Sequence, residues 1–118
     1  LDMLGYVLYF MGRHSDAEEI CRKTLALDPQ HPYALKGLGL CLAKRGAIDD
    51  AVKSIERAIQ LRPTWFDPRW DLAVCLVEAG RSLDAIAVVD CARKALPDRA
   101  KDWDRMARHA RVSGAKAR

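Results

Sequence analysis

The sequence predicts an all-α chain, a solenoid of helical hairpins in three units, with a capping helix at the C-terminal end. Two observations carry that prediction. Seven residue series recur at a single 34-residue step, and between the turn signals the apolar residues fall three and four apart. A third observation removes the alternatives, because no segment shows the strict apolar–polar alternation of a half-buried strand.

The series are Pro29, Pro63 and Pro97; Gly12, Gly46 and Gly80; Ala17, Ala51 and Ala85; Leu4, Leu38 and Leu72; and Leu8, Leu42 and Leu76. Two further series hold only small residues, Gly5, Gly39 and Ala73, then Thr24, Ala58 and Ala92. Each has a physical role. From Ala47 to Arg62, the residues Ala51, Val52, Ile55, Ala58 and Ile59 make one apolar helical stripe, and Pro63 stops it because proline cannot continue a helix. From Tyr33 to Arg45, Leu35, Leu38 and Leu42 form a second stripe, closed by Gly46. Small residues at Gly39 and Ala51 let the two helices approach closely. Ser15 and Glu18 read as a capping box for the second helix of the first unit, and Ser82 reads as a cap for the second helix of the third.

These residues resemble the tetratricopeptide repeat. The second unit, Pro32 to Trp65, carries the family pattern nearly whole in Leu35, Leu38-Gly39, Leu42, Gly46, Ala51, Ala58 and Pro63. The first unit begins near Leu1 and lacks its first few residues; the third departs with Ala73 for Gly and Ala95 for Leu. The resemblance covers about residues 1–98 and divides them into units 1–31, 32–65 and 66–98. From Arg99 a further helix is expected to about residue 112, with Trp103, Met106, Ala107 and Ala110 on one stripe. It reads as a cap, the alternative being the first half of a fourth repeat, since solenoids need a polar-faced end. Residues 113–118 are expected to fray.

Composition excludes several classes. Half of the 118 residues are hydrophobic and 31% are charged, which suits a packed domain. No apolar run reaches the length of a membrane span. The start, Leu1 to Phe10, lacks a basic leader and a small-residue cleavage site, so it does not read as a signal peptide. A first residue other than Met makes the chain read as a piece of a longer parent. Cys21, Cys41, Cys75 and Cys91 form no CxxC pair; they read as buried thiols of a reducing, cytoplasmic compartment rather than as disulfides or a zinc site. Net charge is +4, yet residues 99–118 hold seven Lys or Arg against two Asp, so the basic character belongs to the end of the chain.

No catalytic constellation is found. His14 and His31 fall in expected turns, no serine sits in a GxSxG elbow, and five of seven glycines occupy repeat positions, which leaves no phosphate-cradling loop. Neither a cofactor nor a metal is expected. A nucleic-acid role would rest on the basic end alone, without stacking aromatics beside it, and is set aside.

What the resemblance implies about function is a concave groove lined by the first helix of each unit. Its positions here are Tyr6, Tyr9 and Phe10; then Lys36, Leu40, Ala43 and Lys44; then Trp70, Val74, Val77 and Glu78; and from the last helix Asp104, Arg108 and Arg111. The set is apolar with two central lysines, and it suits a partner peptide or helix with large apolar anchors and acidic flanks. Family members that clamp the acidic tails of heat-shock chaperones use groove asparagines, and this sequence has no asparagine. The stretches LGYVLYFMGRHSDAE and LAVCLVEAG are similar to the chaperones of type III secretion translocators. The expected function is a non-catalytic protein-binding module without nucleic acid or membrane. A translocator chaperone and a regulatory domain of a larger enzyme are the alternatives, and a homodimer through Leu1, Leu4 and Leu8 is compatible with either.

Overall fold

The computed structural model of the chain describes residues 2–117, with side chains from residue 5 to residue 116. Seven α-helices are present among these residues: α1 (Asp2–Phe10), α2 (His14–Leu27), α3 (Pro32–Lys44), α4 (Ile48–Leu61), α5 (Phe66–Glu78), α6 (Ser82–Ala95) and α7 (Ala100–Ala117), with a single 3-10 turn at Pro97–Arg99. The described residues form no strand. None of the helices is long and apolar enough to cross a membrane. The chain divides into two compact units, Leu1–Arg62 and Pro63–Arg118.

The glycine series explains the hairpin turns. Gly12, Gly46 and Gly80 have φ of 81°, 85° and 78°, the left-handed region that a Cβ disfavours. Each ends a helix in the same way. Gly12 N–H donates to Tyr9 O at 3.0 Å and Arg13 N–H to Leu8 O at 2.9 Å; the pairs Gly46–Ala43 with Ala47–Leu42, and Gly80–Val77 with Arg81–Leu76, repeat this. These are Schellman closures, which satisfy carbonyls the helix leaves open. The proline series acts at the other turns, where Asp28, Arg62 and Leu96 make the last helical hydrogen bond just before Pro29, Pro63 and Pro97.

Within the first unit, α2 packs against both α1 and α3, α1 touches α3, and α3 pairs with α4. Leu8, Ala17 and Cys41 form a buried cluster flanked by Tyr9 and Ile20. Between α3 and α4, Gly39 lies so close to Ile55 that a Cβ there would sit 2.3 Å from Ile55 Cγ1. Within the second unit, α6 packs against both α5 and α7, and α5 touches α7. Ala73, Val89, Ala92, Trp103, Met106 and Ala107 make its core. Trp103 is fully buried, and its indole Nε1–H donates to Leu96 O at 3.3 Å. The last helix thus meets its unit as α3 meets α1 and α2.

Several local expectations are corrected. The Ser15–Glu18 capping box does not form. The Schellman turn starts α2 two residues earlier, at His14 with Arg13 as the flanking residue, so Ser15 is exposed inside the first turn. Glu18 instead accepts from Arg45 Nε at 2.9 Å and Arg22 Nε at 3.0 Å, which ties α2 to the end of α3. The Arg45 and Arg22 guanidiniums hold its carboxyl below the ordinary range. Ser82 likewise does not cap α6; it is the first residue of the helix, behind Arg81. In both turns an arginine bonds the aspartate three residues on, Arg13 to Asp16 and Arg81 to Asp84. His31 is not a merely solvated turn residue, since its Nδ1 accepts from Ala34 N at 3.2 Å and caps α3. Cys21, Cys41 and Cys75 are buried, but Cys91 is exposed. The last helix runs to Ala117 rather than ending near residue 112, because Gly114 packs against Ser82 and holds that turn on α6. Leu1 and the side chain of Leu4, two of the residues expected at a self-association edge, lie outside the described residues; Leu8 is buried.

Candidate peptide-binding cleft

The first unit contains a cleft where α1, α2 and α3 meet. Gly5, Tyr6 and Tyr9 line it from α1, Ile20, Cys21 and Thr24 from α2, and Tyr33, Gly37, Leu40 and Cys41 from α3. Its mouth takes in about 330 Å³ including open solvent, while its enclosed depth holds no more than a single water. It is therefore a shallow apolar seat, not a reaction chamber.

The helix registers explain its shape. Gly5 and Tyr9, one turn apart on α1, line the same cleft as Gly37 and Leu40 of α3. A Cβ at Gly37 would lie 2.8 Å from Cys21 Sγ, so the sulfur occupies the space a side chain would need. Thr24 is buried and returns its hydroxyl to its own helix, Oγ1 donating to Ile20 O at 3.0 Å. Burial, with Cys21 and Glu18 nearby, pushes the Cys41 thiol up to about 12. A thiol in that state is a small apolar wall and no nucleophile.

Of the groove residues expected in this unit, Tyr6, Tyr9 and Leu40 come together in the cleft. Phe10 stands outside, 78% exposed, with its ring edge-on to Tyr9 at 5.4 Å. Lys36 does not present an open cation. Its side chain is buried, Nζ donates to Tyr6 Oη at 3.0 Å, and it lies 4.6 Å over the Tyr6 ring. Lys44 is exposed and Ala43 half-buried near the end of α3. In the second unit, Trp70 and Val74 pack on the core instead of standing free, and Val77 is buried. Glu78, Asp104, Arg108 and Arg111 are exposed, with Asp104 paired to Arg93. Sequence reasoning missed Tyr33 and Gly37. The signal was available, since Gly37 is a mid-helix glycine outside every repeat series, and such a residue marks a close approach.

Comparison with known proteins agrees with the helical-hairpin fold. Two family models, each of the tetratricopeptide repeat, match residues 3–68 and residues 42–117, more than half of the chain in either case. The chain belongs to the tetratricopeptide-repeat family. Mouse tetratricopeptide repeat protein 14 is 33% identical over 81 residues, 69% of this chain. A repeat-containing protein of Methanocaldococcus jannaschii is 32% identical over 57 residues, 48% of this chain. The chain spans only about a tenth of the length of these curated relatives, 11% and 10%. Among solved structures, the Yersinia enterocolitica type III secretion chaperone SycD, in complex with a peptide of the translocator YopD, superposes with a TM-score of 0.78. That match has 19% identity and covers 94% of this chain and 89% of SycD. PcrH in complex with the chaperone-binding region of PopD gives a TM-score of 0.72 at 21% identity, over 97% of this chain and 85% of PcrH. At these identities the likeness is one of fold, and the repeat hairpins described above account for it.

Proposed function

We propose that the chain is a non-catalytic protein-interaction module whose first unit seats an apolar side chain of a partner peptide between α1 and α3. The observation that carries this reading is the make-up of the cleft, where Tyr6, Tyr9, Tyr33 and Leu40 surround two helix glycines. Tyrosine rings give a large, rigid apolar contact area, which makes them frequent anchors of binding energy. Gly5 and Gly37 let Cys21 of α2 close the floor beneath the rings, so the seat is a shallow one in which a side chain rests between the tyrosines. Among the described residues no group of three or more His, Cys, Asp or Glu could hold a metal ion.

Phe10 and Lys44 supply flanking contacts in this reading, and Lys36 acts from beneath by fixing the Tyr6 ring. The partner is a peptide or helix with one large apolar anchor. A phage-displayed random peptide library selected on the immobilised protein tests this. The enriched peptides are expected to share a Leu, Ile, Phe or Met anchor and to lose most of their affinity on the Leu40→Gln variant. Enrichment without a common anchor, or affinity unchanged by Leu40→Gln, would overturn the reading.

A second reading, a chaperone that keeps a secreted translocator segment soluble, draws support from the near-complete mutual coverage with SycD, 94% and 89%. Binding of the YopD peptide with loss on Leu40→Gln would favour it; no binding at high peptide concentration would count against it.

A further inference from the structure

We propose that the second unit carries a separate docking shelf for an acidic peptide, formed by Arg99 and Arg105 over Phe66 and Trp70. The proposal rests on reading the chain as a protein-interaction module, but it does not use the cleft of the first unit.

The shelf is built from α5, α7 and the 3-10 turn before α7. The Arg99 guanidinium lies 3.7 Å over the Phe66 ring, and the Arg105 guanidinium 5.3 Å over the Trp70 ring. Both rings are half-buried, and both rest on the fully buried Trp103, at 4.9 and 6.0 Å between centroids. One carboxylate joins the two cations, since Asp102 accepts from Arg99 Nε at 2.7 Å and from Arg105 Nη2 at 3.2 Å. Two guanidiniums therefore share a single negative charge. Each guanidinium has five N–H donors in a fixed fork, and Asp102 engages one nitrogen of each, so donors remain for a second carboxylate.

Three features select an acidic peptide as the occupant. The first is charge complementarity: beyond the shelf, Lys101, Arg108 and Arg111 are also exposed, and residues 99–118 hold seven cations against two aspartates. Such a field draws an anionic partner. The second is preorganisation. Ring stacking and the shared Asp102 order both arginines before a ligand arrives, which lowers the entropy cost of binding. The third separates peptide from nucleic acid. Base stacking needs an open aromatic face, but here a guanidinium covers each ring and Trp103 backs it. A carboxylate entering beside a half-exposed ring, with an apolar neighbour against Phe66 or Trp70, uses both halves of the shelf. Arginine and tryptophan are the residues that dominate interface energies.

The test uses the full chain and a fluorescein-labelled peptide of alternating Glu and Ala, which has no large anchor for the first unit's cleft, its Gln-for-Glu counterpart, and labelled single-stranded oligothymidine, read by fluorescence anisotropy. We expect the Glu peptide to bind about tenfold or more tightly than the Gln peptide. The pair Arg99→Gln and Arg105→Gln should lose about as much. Arg105→Lys, which keeps the charge but not the fork, should lose less. The Leu40→Gln variant should bind as the parent does. Equal affinity for Glu and Gln peptides, parent-like binding by both arginine variants, or tighter binding of oligothymidine would overturn the shelf. So would loss of the Glu peptide on Leu40→Gln alone. That outcome would place the peptide in the first unit and leave the interaction-module reading standing.

Discussion

A methyl group added at Gly39 probes the closest helix contact in the first unit. An ideal Cβ at that position lies 2.3 Å from Ile55 Cγ1, 3.0 Å from Cδ1 and 3.1 Å from the Ala51 carbonyl oxygen. Carbon atoms pack without strain at about 3.5–4.0 Å, so something must move by more than an ångström. Ile55 has no exposed surface into which it could retreat. Overpacking of this kind costs about 1–3 kcal/mol. Alanine returns about 1 kcal/mol of helix propensity over glycine, so Gly39→Ala should destabilise by a net of about 0–2 kcal/mol. The third hairpin carries a compensated version of the same contact. There Ala73 shares a core with Val89, the residue one repeat on from Ile55. Ile55→Val alone should cost about 1 kcal/mol. Combined with Gly39→Ala it should cost less than the sum of the singles by about 1 kcal/mol, because it removes Cδ1 and lets the remaining γ carbons shift. Urea unfolding followed by far-ultraviolet circular dichroism measures all four corners of the cycle. Additivity within about 0.5 kcal/mol, or a Gly39→Ala variant stabilised by the full helix increment, would rule out a tight Gly39–Ile55 contact. Gly5→Ala is the internal control. Its new Cβ would meet nothing closer than Cys21 Sγ at 3.7 Å, so it should be neutral or stabilise by up to about 1 kcal/mol.

Other expectations follow from the same contacts. Iodoacetamide followed by mass spectrometry should label Cys91 quickly and Cys41 only on unfolding, since Cys91 is exposed and Cys41 is buried with its thiol at about 12; rapid labelling of Cys41 in the folded state would contradict its placement. Glu18 has a folded-state pKa below its ordinary value of 4.5, so its stabilising contribution is present above that value and is lost as pH falls through the folded pKa. The thermal midpoint of Glu18→Gln should therefore fall below the parent's near neutral pH and converge with it in strong acid. Lys36→Glu should destabilise the fold by about 2–4 kcal/mol, because it buries a carboxylate against the Tyr6 ring and hydroxyl. Lys44→Glu, at an exposed position, should leave the unfolding curve unchanged.

The hairpin repeat was legible because each series answers a backbone or packing demand that only a few residues satisfy. Gly12, Gly46 and Gly80 sit at positive φ, and Gly39 sits where a Cβ does not fit. The caps were less legible. A Ser three residues before a Glu reads as a capping box, but the Schellman turn at Gly12 sets the helix start, and Glu18 is drawn to Arg45, 27 residues away. Burial at the site was the hardest to read. Lys36 and Trp70 share one repeat position, yet one is buried beneath Tyr6 and the other packs against Trp103. Repeat position gives the helix face, while the neighbouring side chains decide what stays open. Tyr33 and Gly37 fell outside the inherited pattern for the same reason.

Amide chemical-shift mapping of the labelled protein, titrated with a library-selected peptide, locates the bound partner residue by residue. The largest shifts are expected at Gly5, Tyr6, Thr24, Gly37 and Leu40 around the cleft, with α4 unmoved. Shifts concentrated on α4, with those cleft amides unchanged at saturation, would contradict binding in the cleft.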